Sequence, residues 1–192
     1  MTTDRLSRRT VLDATLALAT EEGLSAVTMR AVARRLNVTP MALYRHVDGK
    51  QGLLDGLVER LLEEIQLPEP DLDWRQQLHD LGVSMRATAC RHPDLFVLLF
   101  QRRAVTERAV APRRAVYRAL RDAGMAEDAI PRAERLLSTF ILGFAASEAN
   151  GRLADVDPDA DMATAEELIA ELISSHAAQP HDVQHGITRQ RS

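Results

Sequence analysis

Residues 27–65 read VTMRAVARRLNVTPMALYRHVDGKQGLLDGLVERLLEEI. The stretch divides itself into three helices. Thr28 is a good N-cap, and Met29, Val32, Ala33 and Leu36 share one face of a short helix to Leu36. Asn37-Val38 is a tight break. Thr39 caps the next helix, with Pro40 at the first helical position, where a missing N–H costs nothing. That helix is expected to run to about Val47. Asp48-Gly49 breaks the chain again, and Asp48 with Gln51 has the spacing of a capping box. From Lys50 a longer helix is expected to about Leu67, carrying Leu54, Leu57, Leu61 and Ile65 at helical intervals. Two short helices across a tight turn make a helix-turn-helix candidate. Leu43 and Val47, four apart, would anchor the second on Val32, Leu36 and Leu16. Thr39, Pro40, Met41, Ala42, Tyr44, Arg45 and His46 then turn outward, as a helix entering a DNA major groove requires.

Charge supports an anionic partner at this end. The chain has 192 residues and a net charge of −4. Residues 28–50 nevertheless hold Arg30, Arg34, Arg35, Arg45 and Lys50 against Asp48 alone. Residues 61–192 hold 15 Arg against 21 Asp and Glu, so a basic block sits on an acidic body. Arg45 has the reach for guanine O6/N7 or a phosphate. Tyr44 and His46 can donate to phosphates. Thr28 and Lys50 stand at helix N-termini, where free backbone N–H groups already favour an anion. Lys50 is the sole lysine among 24 cationic residues, a compositional bias that carries no functional reading.

The rest of the chain is helical in pattern, so the expected fold class is all-α. Ser7 caps a first helix to about Glu22, closed by Gly23. Asp73 caps a helix from Trp74 to His92, which Pro93 ends. Residues 94–103 are short and very apolar. A helix from Thr106 to Ala123 is expected to bend at Pro112. Pro131 opens a long apolar helix to about Arg152. Residues 153–163 form an acidic loop, and Thr164 with Glu167 opens a last helix to about Ala178. The tail 179–192 has no period and is expected to be disordered. No apolar run approaches the roughly 20 residues of a membrane span. No secretory signal pattern is present and Cys90 is the only cysteine, so a cytoplasmic address is expected.

The motifs T-x-R-x-V-A-x-x-L at Thr28–Leu36 and L-Y-x-H-V at Leu43–Val47, with Lys50 three residues on, closely resemble the DNA-binding region of the tetracycline-repressor (TetR) family of bacterial transcriptional regulators. With the first helix the resemblance covers about residues 8–65. It implies a dimeric repressor that binds a palindromic double-stranded DNA operator and is released by a small-molecule effector. By the same resemblance Thr28 and Lys50 contact phosphate, and Arg30 approaches a base or the backbone. Thr39, Pro40, Met41 and Ala42 face the major groove, and Tyr44 and His46 meet phosphate, sugar or methyl groups. Arg45 stands where members vary, so it is the candidate for operator-specific readout.

W-R-x-x-L at Trp74–Leu78 and the His92-Pro93-Asp94 break resemble the family's tetracycline-repressor-like C-terminal domain. The implied plan is a head at 1–50, a connecting helix 51–67, and an effector-binding and dimerisation domain at 68–178. Trp74, Met85, Cys90, Phe96, Phe100, Tyr117, Phe140 and Phe144 are the pocket candidates, with plain core packing the competing reading for each. By analogy helices 131–152 and 164–178 dimerise, with Leu137, Phe140, Ile141, Phe144, Leu168, Leu172 and Ile173 as interface candidates. Tetracycline repressors hold a magnesium–drug chelate with a histidine in this body. The segment PDLFVLLFQ after His92 has none, so a largely apolar organic effector is expected, with no metal and no cofactor.

Two metal-like patterns are weighed and set aside. Asp155, Asp157, Asp159, Asp161 and Glu166 have calcium-loop spacing. Ala160 replaces the turn glycine and Pro158 intrudes, so a solvated loop is expected instead. His176, His181 and His185 are read as part of a mobile tail. There is no Gly-rich phosphate loop after a strand and no G-x-S-x-G elbow, so an enzyme is not expected. The competing class is an interaction protein whose body works and whose head does not bind DNA.

Overall fold

The computed structural model describes residues 6–102 and 106–177. Every regular element among them is helical. The head comprises α1 (Arg8–Glu22), a 3₁₀ turn (Leu24–Ala26), α2 (Met29–Arg35), α3 (Pro40–Leu43) and α4 (Gly49–Glu63). The body comprises α5 (Trp74–Arg91), α6 (Pro93–Phe96), α7 (Leu98–Gln101), α8 (Ala111–Asp122), α9 (Ile130–Ala149) and α10 (Pro158–Ala177). None of these helices is long and apolar enough to cross a membrane.

Helix starts follow local chemistry. Ser7 and Thr10 form a reciprocal capping box at α1. Thr28 Oγ1 accepts from the Ala31 amide at 3.1 Å, and Asp73 accepts from Arg75. Several starts and ends differ from expectation. Asp48 precedes α4 without a side-chain cap, and α4 stops at Glu63 rather than Leu67. Pro68 cannot donate to a continuing helix, and the Gln66 amide is taken by Ser84 Oγ at 2.7 Å. The expected bend at Pro112 is absent because α8 begins at Ala111, so the proline sits in the first turn.

The largest difference is at the last helix. α10 begins at Pro158, six residues before Thr164. Asp157 Oδ1 accepts from the amides of Asp159 (3.0 Å) and Ala160 (3.2 Å) and is the working cap. Thr164 lies inside the helix and bonds back to Ala160. Asp159 and Asp161 thus occupy a helical first turn, where the dipole favours acids, rather than a calcium-type loop. Asp157→Ala is expected to cost about 1 kcal/mol in urea unfolding. Thr164→Ala is expected to change stability by less than about 0.5 kcal/mol. The reverse ranking would move the helix start to Thr164.

Two packed regions share one connecting segment. The head core gathers Val11, Leu12, Leu18, Val32, Leu43, Leu53, Leu57 and Leu61, and it also takes in Leu95 and Leu98. Phe96, between those two leucines, points the other way and is fully buried with Ala89 and Ala145. The apolar run 95–99 therefore staples head to body. A polar tie lies beside it. His92 Nε2 meets Glu64 at 3.0 Å, just past α4, and His92 Nδ1 lies 3.4 Å from Thr20 Oγ1 on α1. Within the body, Arg86 of α5 donates twice to Glu148 of α9 (2.7 and 2.8 Å) and once to Asp159 of α10 (2.7 Å). These bonds hold its guanidinium charged well above its ordinary range. Gln77 is fully buried, yet it bonds Leu72, Asp122 and Arg118, so no polar group is stranded there.

Candidate nucleic-acid interface and effector cavity

The turn between α2 and α3 is built by backbone bonds. Asn37 adopts φ 53°, in the left-handed region asparagine tolerates. The Val38 amide reaches Ala33 O at 3.0 Å and the Asn37 amide reaches Arg34 O at 3.1 Å, a Schellman closure. α3 is shorter than expected, with one helical turn to Leu43 and turns over 44–46. Its anchoring is as the spacing implied. Leu43 is fully buried and Val47 nearly so, against Val32 and the half-buried Leu16 and Leu36.

The opposite face is bare. Thr28, Arg30, Thr39, Pro40, Arg45 and Lys50 are exposed, and Ala42 and His46 are half-buried. Met41 is 74% exposed and Tyr44 55%. The cations on this face are not equivalent. Arg35 donates to both oxygens of Glu21 (2.7 and 2.5 Å), which lowers the Glu21 pKa and occupies the guanidinium. Among the described residues, Arg30, Arg34, Arg45 and Lys50 make no ion pair. Four cations, on α2, after α3 and at the start of α4, thus lack ion-pair partners among the described residues, and the exposed side chains of α3 itself are small, apolar or hydroxylic. That arrangement suits a polyanion with base edges at its centre.

A second site lies in the body. A cavity of about 1080 Å³ is walled by α5, α8, α9 and α10, and α4 contributes Val58 and Leu62. Of the pocket candidates, Trp74, Met85 and Phe140 line it. The other five stand elsewhere. Cys90 is exposed, Phe100 is 51% exposed, and Phe96 is the staple described above. Tyr117 packs against the cluster around Leu120. Phe144 packs tilted against Phe140, ring centroids 6.0 Å apart, with Arg86 over its ring. Aromatic character alone did not separate wall from core, because either environment accepts it.

The interface candidates also divide. Leu137 and Ile141 face the cavity, and Ile173 is buried in the body. Leu168 and Leu172 are 57% and 61% exposed, as are Phe140 in part and Leu136 at 68%, which was not a candidate.

Sequence reading missed three polar wall residues. Glu134 is 5% exposed, and Arg113 Nε lies 3.2 Å from its Oε2. Its signal was a carboxylate in step with Ile130, Leu137 and Ile141 on an otherwise apolar face. Arg102 lines the cavity and also grips Asp55 and Gln51 of α4. His79 meets Glu166 at 2.9 Å across α5 and α10. No sequence pattern announces those two long-range pairs. His79 and Glu166 are two donors without a third, and among the described residues no three His, Cys, Asp or Glu converge. His181 and His185 and the tail 179–192 lie outside the described residues.

Comparisons with known proteins match both parts of the chain. Residues 11–57 match the family model "Bacterial regulatory proteins, tetR family", and residues 67–183 match "Tetracyclin repressor-like, C-terminal domain". The class G tetracycline repressor protein of Vibrio anguillarum is 39% identical over 93 residues, which is 47% of this chain and 44% of that repressor. The chain thus aligns with less than half the length of the tetracycline repressors it matches. Crystal structures of BioQ from Mycobacterium smegmatis (26% identity, TM-score 0.77, 90% of this chain and 99% of that one) share the fold. BioQ has also been seen with its double-stranded DNA operator (TM-score 0.71, 26% identity, 90% and 100% covered). ActR from Streptomyces coelicolor, in complex with actinorhodin, has the same fold (TM-score 0.80, 23% identity, 91% and 99% covered).

Proposed function

Since the chain belongs to the tetR family of bacterial regulatory proteins, we propose that it is a dimeric transcriptional repressor, released from its operator when an organic effector enters the body cavity. The observation that carries this reading is the bare face of α3 together with four cations that lack ion-pair partners among the described residues. Two such faces related by a dyad would enter successive major grooves about 34–36 Å apart. Thr28, Tyr44, His46 and Lys50 then hold the backbone, Arg30 lies beside it, and Thr39–Ala42 with Arg45 meet base edges. Residues 1–50 form the reader and 68–178 the effector and dimer domain. The exposed Leu136, Phe140, Leu168 and Leu172 of α9 and α10 supply the dimer surface. The protein acts by occupying promoter DNA in the cytoplasm and carries out no catalysis.

α4 links the two activities. Its N-terminus carries Lys50, its middle is held by Arg102 from the cavity wall, and Val58 and Leu62 form part of that wall. An effector that fills the cavity presses on the helix that positions the head. It shifts the equilibrium only by the difference between its affinities for the DNA-competent and incompetent states.

Selection from random duplex DNA with the purified protein, at two salt concentrations, tests the reading. An enriched inverted repeat is expected, with retention falling steeply as salt rises. A folded dimer that enriches no sequence would overturn DNA recognition and leave an interaction protein.

A further inference from the structure

Arg102 joins the cavity to the head. It follows the last turn of α7 and lines the cavity, with a side chain 19% exposed. The other arginines of the wall, Arg75, Arg113 and Arg135, are open to solvent. Arg102 Nη1 donates to Asp55 Oδ1 and Nη2 to Gln51 Oε1, both on α4 and both outside the cavity lining. Two side chains thus supply the two acceptors of one guanidinium fork. A single carboxylate presents the same pair of oxygens by itself. The members of the ion pair are also unequal. Asp55 is 48% exposed, so water can solvate it when Arg102 leaves. Arg102 is mostly covered and needs an acceptor wherever it turns. Asp55 is therefore the exchangeable partner.

We propose that the effector carries a carboxylate on its apolar skeleton, and that this carboxylate takes Arg102 from Asp55 and Gln51. This rests on the reading of the cavity as the effector site. The acids of the wall do not stand against an anion. Glu134 faces Arg113 at 3.2 Å, Glu166 is bonded to His79 at 2.9 Å, and Glu167 is exposed to solvent. Leu78, Leu81, Met85, Val116 and Leu142 supply an apolar lining, which strengthens a charge pair formed inside it. A neutral ligand would fill the cavity and leave Arg102 on Asp55, and an ammonium would be repelled by it. The exchange removes the tie on the first two turns of α4, the end that carries Lys50. The carboxylate and α4 compete for one guanidinium, so the binding of either weakens the other.

Trp74 is the only tryptophan in the chain and lies in the wall, so energy transfer from it reports binding. The probes are 1-pyrenecarboxylate and 1-pyrenecarboxamide, which are nearly alike in shape, differ in charge and absorb where tryptophan emits. The full-length protein is expected to bind the carboxylate about tenfold more tightly than the carboxamide. In Arg102→Gln that ratio is expected to fall to about one, with carboxamide binding showing that the cavity has formed. In Asp55→Asn the ratio is expected to rise about threefold, because the competitor for Arg102 is gone. An ion pair that merely braced the fold would not move the ratio in opposite directions when its two members are changed. Equal affinities in the unaltered protein would overturn the proposal without needing a variant. A ratio retained in Arg102→Gln would also overturn it, since another arginine would then hold the anion. So would a ratio that stays level or falls in Asp55→Asn, or absence of transfer to either probe. An enriched operator with no carboxylate preference would remove this inference and keep the repressor. A carboxylate preference that depends on Arg102, without any enriched operator, would remove the repressor and keep the ligand site.

Discussion

Gly56→Ala is expected to destabilise the head by about 1–3 kcal/mol, a large effect for one added methyl group. Gly56 lies on α4 where that helix crosses α1. A Cβ built there overlaps Leu12 Cδ2 outright and lies 3.0 Å from Leu12 Cδ1 and Cγ. Leu12 is 2% exposed, surrounded by the head core, and has no free volume to retreat into. The two helices must therefore part, or Leu12 must leave its rotamer. In an exposed helix the same change would stabilise by up to about 1 kcal/mol, so the sign itself is diagnostic. Urea unfolding of the full-length protein reads the effect, and Leu12→Ala provides the control. Leu12→Ala alone is expected to cost about 2–5 kcal/mol through the cavity it leaves. In the Gly56→Ala background the same truncation should cost less, because it also relieves the overlap. A coupling of about 0.5–3 kcal/mol is the signature of direct contact. A Gly56→Ala protein as stable as the parent would mean that α1 and α4 do not meet as described. Parting α1 from α4 also moves the N-terminus of α4, so operator affinity should fall along with stability.

That glycine shows where the sequence was silent. Reading by period and cap found the helices, because Ser7, Thr28, Pro40 and Asp73 act within four residues of themselves. It found the anchored and bare faces of α3 for the same reason. It misplaced the start of α10 because Asp157 and Thr164 are both good caps, and nothing local ranks them. The choice follows from Arg86 holding Asp159 and Glu148 together, a contact 73 residues apart along the chain. Gly56, Arg102, Glu64 and Glu134 matter through partners on other helices, and one sequence does not state which helices meet. The eight pocket candidates lie in different environments for a related reason. Size and aromaticity say that a side chain will be covered, not whether by protein or by a ligand.

Lys50→Ala and Arg45→Ala are expected to fail in different ways, and the difference tests how the head reads DNA. Lys50 is exposed in the first turn of α4, without an ion-pair partner among the described residues, and α4 presents backbone N–H groups at the same end. A cation there meets phosphate wherever the protein lands. Its removal should weaken binding to every sequence alike and reduce the salt slope by about 1 per protomer, or about 2 for a dimer. Arg45 follows the last turn of α3, exposed and unpaired, beside Met41 and Ala42. A guanidinium at that place can bond guanine O6 and N7 together, which is worth about 1–3 kcal/mol of discrimination per contact. Arg45→Ala should therefore flatten the base preference at two symmetric operator positions and leave the remainder of the motif intact. Selection from random duplex DNA, run in parallel with salt titrations for the parent and both variants, measures both quantities. If Arg45→Ala lowers affinity uniformly with an unchanged motif, Arg45 is a phosphate contact, and specificity passes to Thr39–Ala42. If Lys50→Ala leaves the salt slope unchanged, the N-terminus of α4 does not touch the backbone, and the head must dock on another face.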